Sequence, residues 1–69
     1  MSQEIRYKFA ENIKQLRASK KITREELSLA IGVDNSYISK LEKGKINITI
    51  DKIGDIAEYF NVEVFKLFK

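Results

Sequence analysis

Thr23-Arg24-Glu25-Glu26-Leu27-Ser28-Leu29-Ala30-Ile31-Gly32-Val33-Asp34-Asn35-Ser36-Tyr37-Ile38-Ser39-Lys40-Leu41-Glu42-Lys43-Gly44 reads as two short helices and the turn between them. Thr23 followed by Glu26 is a capping box, in which the hydroxyl takes an orphan amide and the carboxylate reaches back. Leu27, Ala30 and Ile31 give the first helix an apolar face, and Gly32 supplies the left-handed residue that closes it. Asp34 can cap the next helix, on which Tyr37, Ile38 and Leu41 recur at three- and four-residue spacing until Gly44 stops it. A connection of only Gly32-Val33-Asp34 forces a sharp crossing of about 100°. Leu27, Ala30, Val33, Ile38 and Leu41 then share one small core, with Ala30 small where the helices approach. What this leaves outward is Asn35, Ser36, Ser39, Lys40 and Lys43. Short polar side chains beside lysines are what base edges in a major groove require, because those edges carry donors and acceptors at fixed positions.

The flanks extend the same pattern. Ile5, Phe9, Ile13 and Leu16 form one stripe of a helix over residues 3–19, and Lys20 and Lys21 lead out of it. Residues 45–48 read as a connection. Thr49 can cap a fourth helix, with Asp51 favoured in its first turn by the helix dipole. Ile50, Ile53, Ile56, Ala57 and Phe60 mark that helix's buried side, and Asn61 can end it as glycine would. Val62, Val64, Phe65, Leu67 and Phe68 belong to a final helix too short to stand alone, which must therefore dock. The expectation is an all-α fold: a compact five-helix bundle, one domain over residues 1–69, with the helix-turn-helix at 23–43.

Composition excludes several classes of function. The 69 residues include no cysteine and no histidine, which removes disulfides, the common zinc sites and nucleophile–imidazole chemistry. There is no glycine-rich phosphate loop, and so short a chain cannot enclose a dry pocket. We therefore expect no enzyme activity, no cofactor, no metal and no small-molecule substrate. Asp51, Asp55 and Glu58 share one helix face, read as solvated rather than metal-binding. No apolar run approaches the roughly 20 residues that span a bilayer, and Glu4 stands where a signal peptide would begin its apolar stretch; no membrane partner and a cytoplasmic location follow as expectations. The net charge of +3 is unevenly placed: residues 1–45 carry about +4 and the remainder about −1, which suits one polyanion-facing surface.

The stretch from Thr23 to Gly44 resembles the Cro/phage-repressor helix-turn-helix family, of the lambda-repressor-like type, and the likeness extends from Phe9 to Phe68. Leucine, glycine, the Ile38-Ser39 pair and the Glu42-Lys43-Gly44 ending all fall at that family's spacing. Asp34-Asn35-Ser36-Tyr37-Ile38-Ser39, Asn47-Ile48-Thr49-Ile50 and the aromatic last helix are most similar to restriction–modification controller proteins. The resemblance implies a homodimeric transcriptional regulator that binds a palindromic duplex-DNA operator through its third helix. It implies base contacts by Asn35, Ser36, Ser39 and Lys40, and phosphate contacts by Arg24, Lys43, Lys45 and Asn47; Tyr37 reads, on its own chemistry, as a packing residue whose hydroxyl reaches a phosphate. It also implies an ion pair between Arg17 and Glu42. Phe65 and Phe68 are read as core or partly as a dimer surface. Three positions depart from the family's habit: Arg24 replaces a glutamine, Ser28 often an alanine, and Asn61 a glycine. A phage-type repressor or antitoxin-like autoregulator is the alternative within the class. A protein-interaction module is the alternative outside it, though such a module would present an apolar third helix.

Overall fold

The computed structural model describes residues 3–69. Four α-helices follow one another: α1 (Gln3–Lys20), α2 (Arg24–Ile31), α3 (Asn35–Glu42) and α4 (Ile50–Phe60). A 3-10 helix at Val64–Phe68 follows α4. Among the described residues there is no strand. The fold is thus all-helical with a helix-turn-helix at its centre. The fifth element is a 3-10 turn and not the short α-helix expected. Five residues are too few to recover the cost of an α-helical nucleus, and the tighter winding suits short pieces.

The ends of the helices form where their capping chemistry lies. Thr23 Oγ1 accepts from the Glu26 amide at 3.0 Å, and the Thr23 amide donates to Glu26 Oε1 at 3.1 Å, completing the capping box. Gly32 closes α2 at φ 73°. Asp34 Oδ1 caps α3 through the amides of Ser36 and Tyr37. Thr49 caps α4, and Asn61 ends it in the left-handed region at φ 57°. Lys21, also left-handed at φ 56°, closes α1. The Lys52 ammonium donates to the Ile31 carbonyl at 2.6 Å, placing a cation on the free carbonyl end of α2.

One core joins all five elements. Phe9 and Ile13 of α1, Leu27 and Ile31 of α2, Ile38 and Leu41 of α3, Ile53, Ile56 and Phe60 of α4, and Leu67 of the 3-10 helix are buried together. The 3-10 helix packs on α1 and α4, whereas α3 packs on α1 and α2. Asn12 Nδ2 donates to the Leu67 carbonyl at 2.8 Å, and Phe68 stacks on Phe9 with ring centroids 5.0 Å apart. Gly44, at φ 73°, faces the Tyr7 ring so closely that a β-carbon there would collide with it.

Three apolar positions differ from expectation. Ala30 is exposed; Leu27, Ser28 and Ile31 are the buried residues of α2, so Ser28 is the small residue turned toward α3. Its hydroxyl is compatible with burial because it donates to the Arg24 carbonyl at 2.7 Å. Ile50 is 84% exposed, since the first residue of α4 lies beyond the edge of the core. Ile5, likewise near a helix start, is 44% exposed.

Candidate nucleic-acid interface

Helix α3 is fastened from beneath. Ile38 and Leu41, four and seven residues on from Asp34 and one turn apart, are 0% and 2% exposed, and they fix the rotation of the helix about its axis. Asn35, Ser36 and Lys40 are consequently exposed, and Ser39 and Tyr37 are half-buried. An open cleft runs between α2 and α3, lined by Thr23, Arg24, Glu25, Asn35, Ser36 and Ser39. The cleft brings together three of the four residues expected to read bases, along with Arg24. Lys40 lies outside the cleft on the exposed side of α3. Lys43, Lys45 and Asn47 are exposed on the chain that leaves α3. Phe65 is exposed, with the Lys69 ammonium 5.8 Å from its ring, while Phe68 belongs mainly to the core of its own chain.

The orientation of α3 is also held electrostatically. Glu42, at the end of α3, has a side chain only 2% exposed. Arg17 of α1 meets it with two parallel bonds, Nε to Oε2 at 2.6 Å and Nη2 to Oε1 at 3.0 Å. The remaining Arg17 nitrogen donates to the Ile22 carbonyl at 2.9 Å. Hydrogen bonding to Glu42 raises the Arg17 guanidinium above its ordinary value, against the opposing effect of burial. Arg24 contributes a third bond, Nε to Glu42 Oε1 at 3.1 Å, while its side chain stays 54% exposed. One carboxylate therefore carries two arginines at the mouth of the cleft. No sequence periodicity links residues 17, 24 and 42, so spacing alone does not announce the Arg24 bond.

At the start of α3, Asp34 is more than a cap. Ser36 Oγ donates to Asp34 Oδ1 at 2.5 Å, in addition to the two backbone amides. These bonds, led by that of Ser36, hold the Asp34 carboxyl below its usual value. With its proton committed to Asp34, Ser36 presents an acceptor outward. Burial pushes the Tyr37 phenol above its usual value. A second missed contact joins Ser28 Oγ to Asn35 Oδ1 at 3.2 Å. Among the described residues, no three histidine, cysteine, aspartate or glutamate side chains converge as metal ligands, and no helix is long and apolar enough to cross a membrane.

Residues 13–67 match the family model described as helix-turn-helix. The chain belongs to the helix-turn-helix family. The control protein C.BamHI of Bacillus amyloliquefaciens is 31% identical over 64 residues, which are 91% of this chain and 79% of that protein. An uncharacterised helix-turn-helix transcriptional regulator of Archaeoglobus fulgidus is 39% identical over 56 residues, 81% of this chain and 79% of its own length. Among solved structures, the restriction–modification controller protein C.AhdI of Aeromonas hydrophila superposes with a TM-score of 0.85 at 30% identity, over 91% of this chain and 96% of that one. Like these relatives, this helix-turn-helix chain is a DNA-binding transcriptional regulator.

Proposed function

We propose that the chain binds a palindromic operator as a homodimer and serves as the controller of a restriction–modification system. The observation that carries the DNA-reading part is the anchoring of α3: Ile38 and Leu41 lie under the helix while Asn35, Ser36 and Lys40 face outward. The N-terminal half of α3 enters the major groove, and Asn35, Ser36, Ser39 and Lys40 meet base edges. Arg24, Tyr37, Lys43, Lys45 and Asn47 contact phosphates along the groove walls and fix the register. Arg17 acts indirectly, through Glu42, by setting the tilt at which α3 is presented.

The homodimer reading draws on the exposed apolar surface at Val64 and Phe65, which are 46% and 58% exposed. That surface lies on the 3-10 helix, packed on α1 and α4, so pairing through it leaves α3 free. Two copies would set their α3 helices about 34 Å apart, facing half-sites roughly 10 base pairs from centre to centre. The controller assignment rests on the likeness to C.BamHI and C.AhdI.

Selection from a pool of random duplexes tests this reading. The expected product is an inverted repeat with about 10 base pairs between half-site centres, bound more weakly as salt rises from about 50 to 200 mM. Recovery of no sequence, or an affinity indifferent to salt, would overturn it. A restriction endonuclease gene beside this one supports the controller role; its absence from the neighbourhood argues against it.

A further inference from the structure

Ser28 makes none of the DNA contacts proposed above, yet its surroundings are specific. It is 3% exposed on α2 and faces the first turn of α3. Its Oγ lies 2.7 Å from the Arg24 carbonyl oxygen and 3.2 Å from Asn35 Oδ1. A hydroxyl has one proton and two lone pairs. The shorter bond, made back along the helix to a residue four earlier, has first claim on the proton. Asn35 then either shares that proton or turns its amide so that the NH2 group donates to the Ser28 oxygen. In both arrangements one end of the Asn35 amide is tied to a buried atom on another helix.

We infer that Ser28 is a positioning residue, which holds the Asn35 side chain in one rotamer and thereby sets the base pair preferred at the start of α3. This rests on the DNA-reading role proposed above. Asn35 is the first residue of α3, is exposed and lines the cleft. An asparagine free to rotate can offer donor or acceptor to any base edge. Held at its inner end, the amide keeps its outer end at one place over the groove, and a fixed position limits which base edges it can meet. Ser28 is invisible to the DNA and still shapes what the DNA-facing residue reads.

The test compares wild type with Ser28→Ala, Asn35→Ala and the double variant. Alanine fits the space at position 28 and is the better helix former, so thermal melting should confirm that all variants fold. In the free protein, NMR side-chain couplings of Asn35 should report a single rotamer in wild type and averaging in Ser28→Ala. In selection from random duplexes, wild type should favour its base opposite Asn35 on the order of ten- to a hundredfold. Ser28→Ala should broaden that one position, the same one broadened by Asn35→Ala, and the double variant should lose nothing more. Averaged couplings in wild type, or a single rotamer surviving in Ser28→Ala, overturn the inference whatever the DNA result. So does an unchanged Ser28→Ala selection, or an effect of Ser28→Ala that persists without Asn35. A wild-type protein that enriches no sequence defeats the operator reading instead, and the NMR comparison still judges the clamp.

Discussion

Arg17 and Glu42, 25 residues apart in the chain, meet through two parallel bonds of 2.6 and 3.0 Å that fasten the end of α3 to α1. The carboxylate side chain is 2% exposed and the arginine side chain 18%. Removing one member of a buried pair strands the other, whereas replacing both by apolar residues can be nearly neutral. Arg17→Met should therefore destabilise the domain by about 3 kcal/mol, the low end of the usual range because Arg24 still bonds Glu42. Arg17→Met combined with Glu42→Leu should recover most of that loss in urea unfolding. If the double variant is no more stable than the single one, the pair adds net stability beyond holding α3 in place.

Asn35 and Lys40 are expected to make base contacts, so their removal should blunt selectivity. Asn35→Ala and Lys40→Ala should each reduce discrimination between operator and mismatched duplexes by about 1–3 kcal/mol. Competition binding against single-base-pair variants of the selected site measures this. A Lys40→Ala protein that weakens equally on every sequence would move Lys40 to the phosphate group of contacts.

Lys43 stands exposed where the chain leaves α3. Lys43→Ala should lower affinity uniformly across sequences and reduce the slope of log K against log salt by about 1. Titrations at several salt concentrations, on the operator and on a scrambled duplex, provide the comparison. A changed sequence preference with an unchanged slope would contradict a phosphate role.

Phe65 is the more exposed of the two aromatic residues expected at a dimer surface; Phe68 already stacks on Phe9 in its own core. Phe65→Glu should leave the monomer folded, shift sedimentation equilibrium toward monomer, and weaken operator binding at least about tenfold, equivalent to 1.4 kcal/mol. Unchanged sedimentation in this variant would place the contact between copies elsewhere.

Asp34 gives the start of α3 a pH dependence of known sign. Its folded value is depressed, chiefly by the Ser36 hydroxyl and the Tyr37 amide. The cap's contribution is therefore fully present above the unfolded value of about 3.9. It is lost as pH falls through the lower folded value. In an NMR acid titration, the amides of Ser36 and Tyr37 should move below pH 4 and not near pH 5. Asp34→Ala should remove that movement and lower stability at neutral pH, as the loss of a helix cap does.

Much of this architecture can be read along the chain because its determinants are local. Thr23 and Glu26, Gly32, Asp34, Thr49 and Asn61 act on residues a few positions away, and each ends or begins a helix where its chemistry allows. The errors come from rotation and distance. Ala30 and Ser28 differ by two positions on α2, and only packing against α3 decides which is turned inward. Ile50 satisfies the apolar spacing of α4 but stands one turn beyond the core. Of the candidate interface, the outward residues of α3 follow from the burial of Ile38 and Leu41. The ties that hold those residues, Arg24 to Glu42 and Ser28 to Asn35, cross between helices, and no spacing rule announces them.

Tyr7 and Gly44 carry a broader consequence. Because the aromatic ring, on a half-exposed side chain, fills the place where residue 44 would carry a side chain, the exit of α3 is keyed to glycine. Any larger residue would have to displace the ring or shift the backbone. New target sequences are within reach by exchanging the outward side chains at 35, 36 and 40, while residue 44 stays glycine.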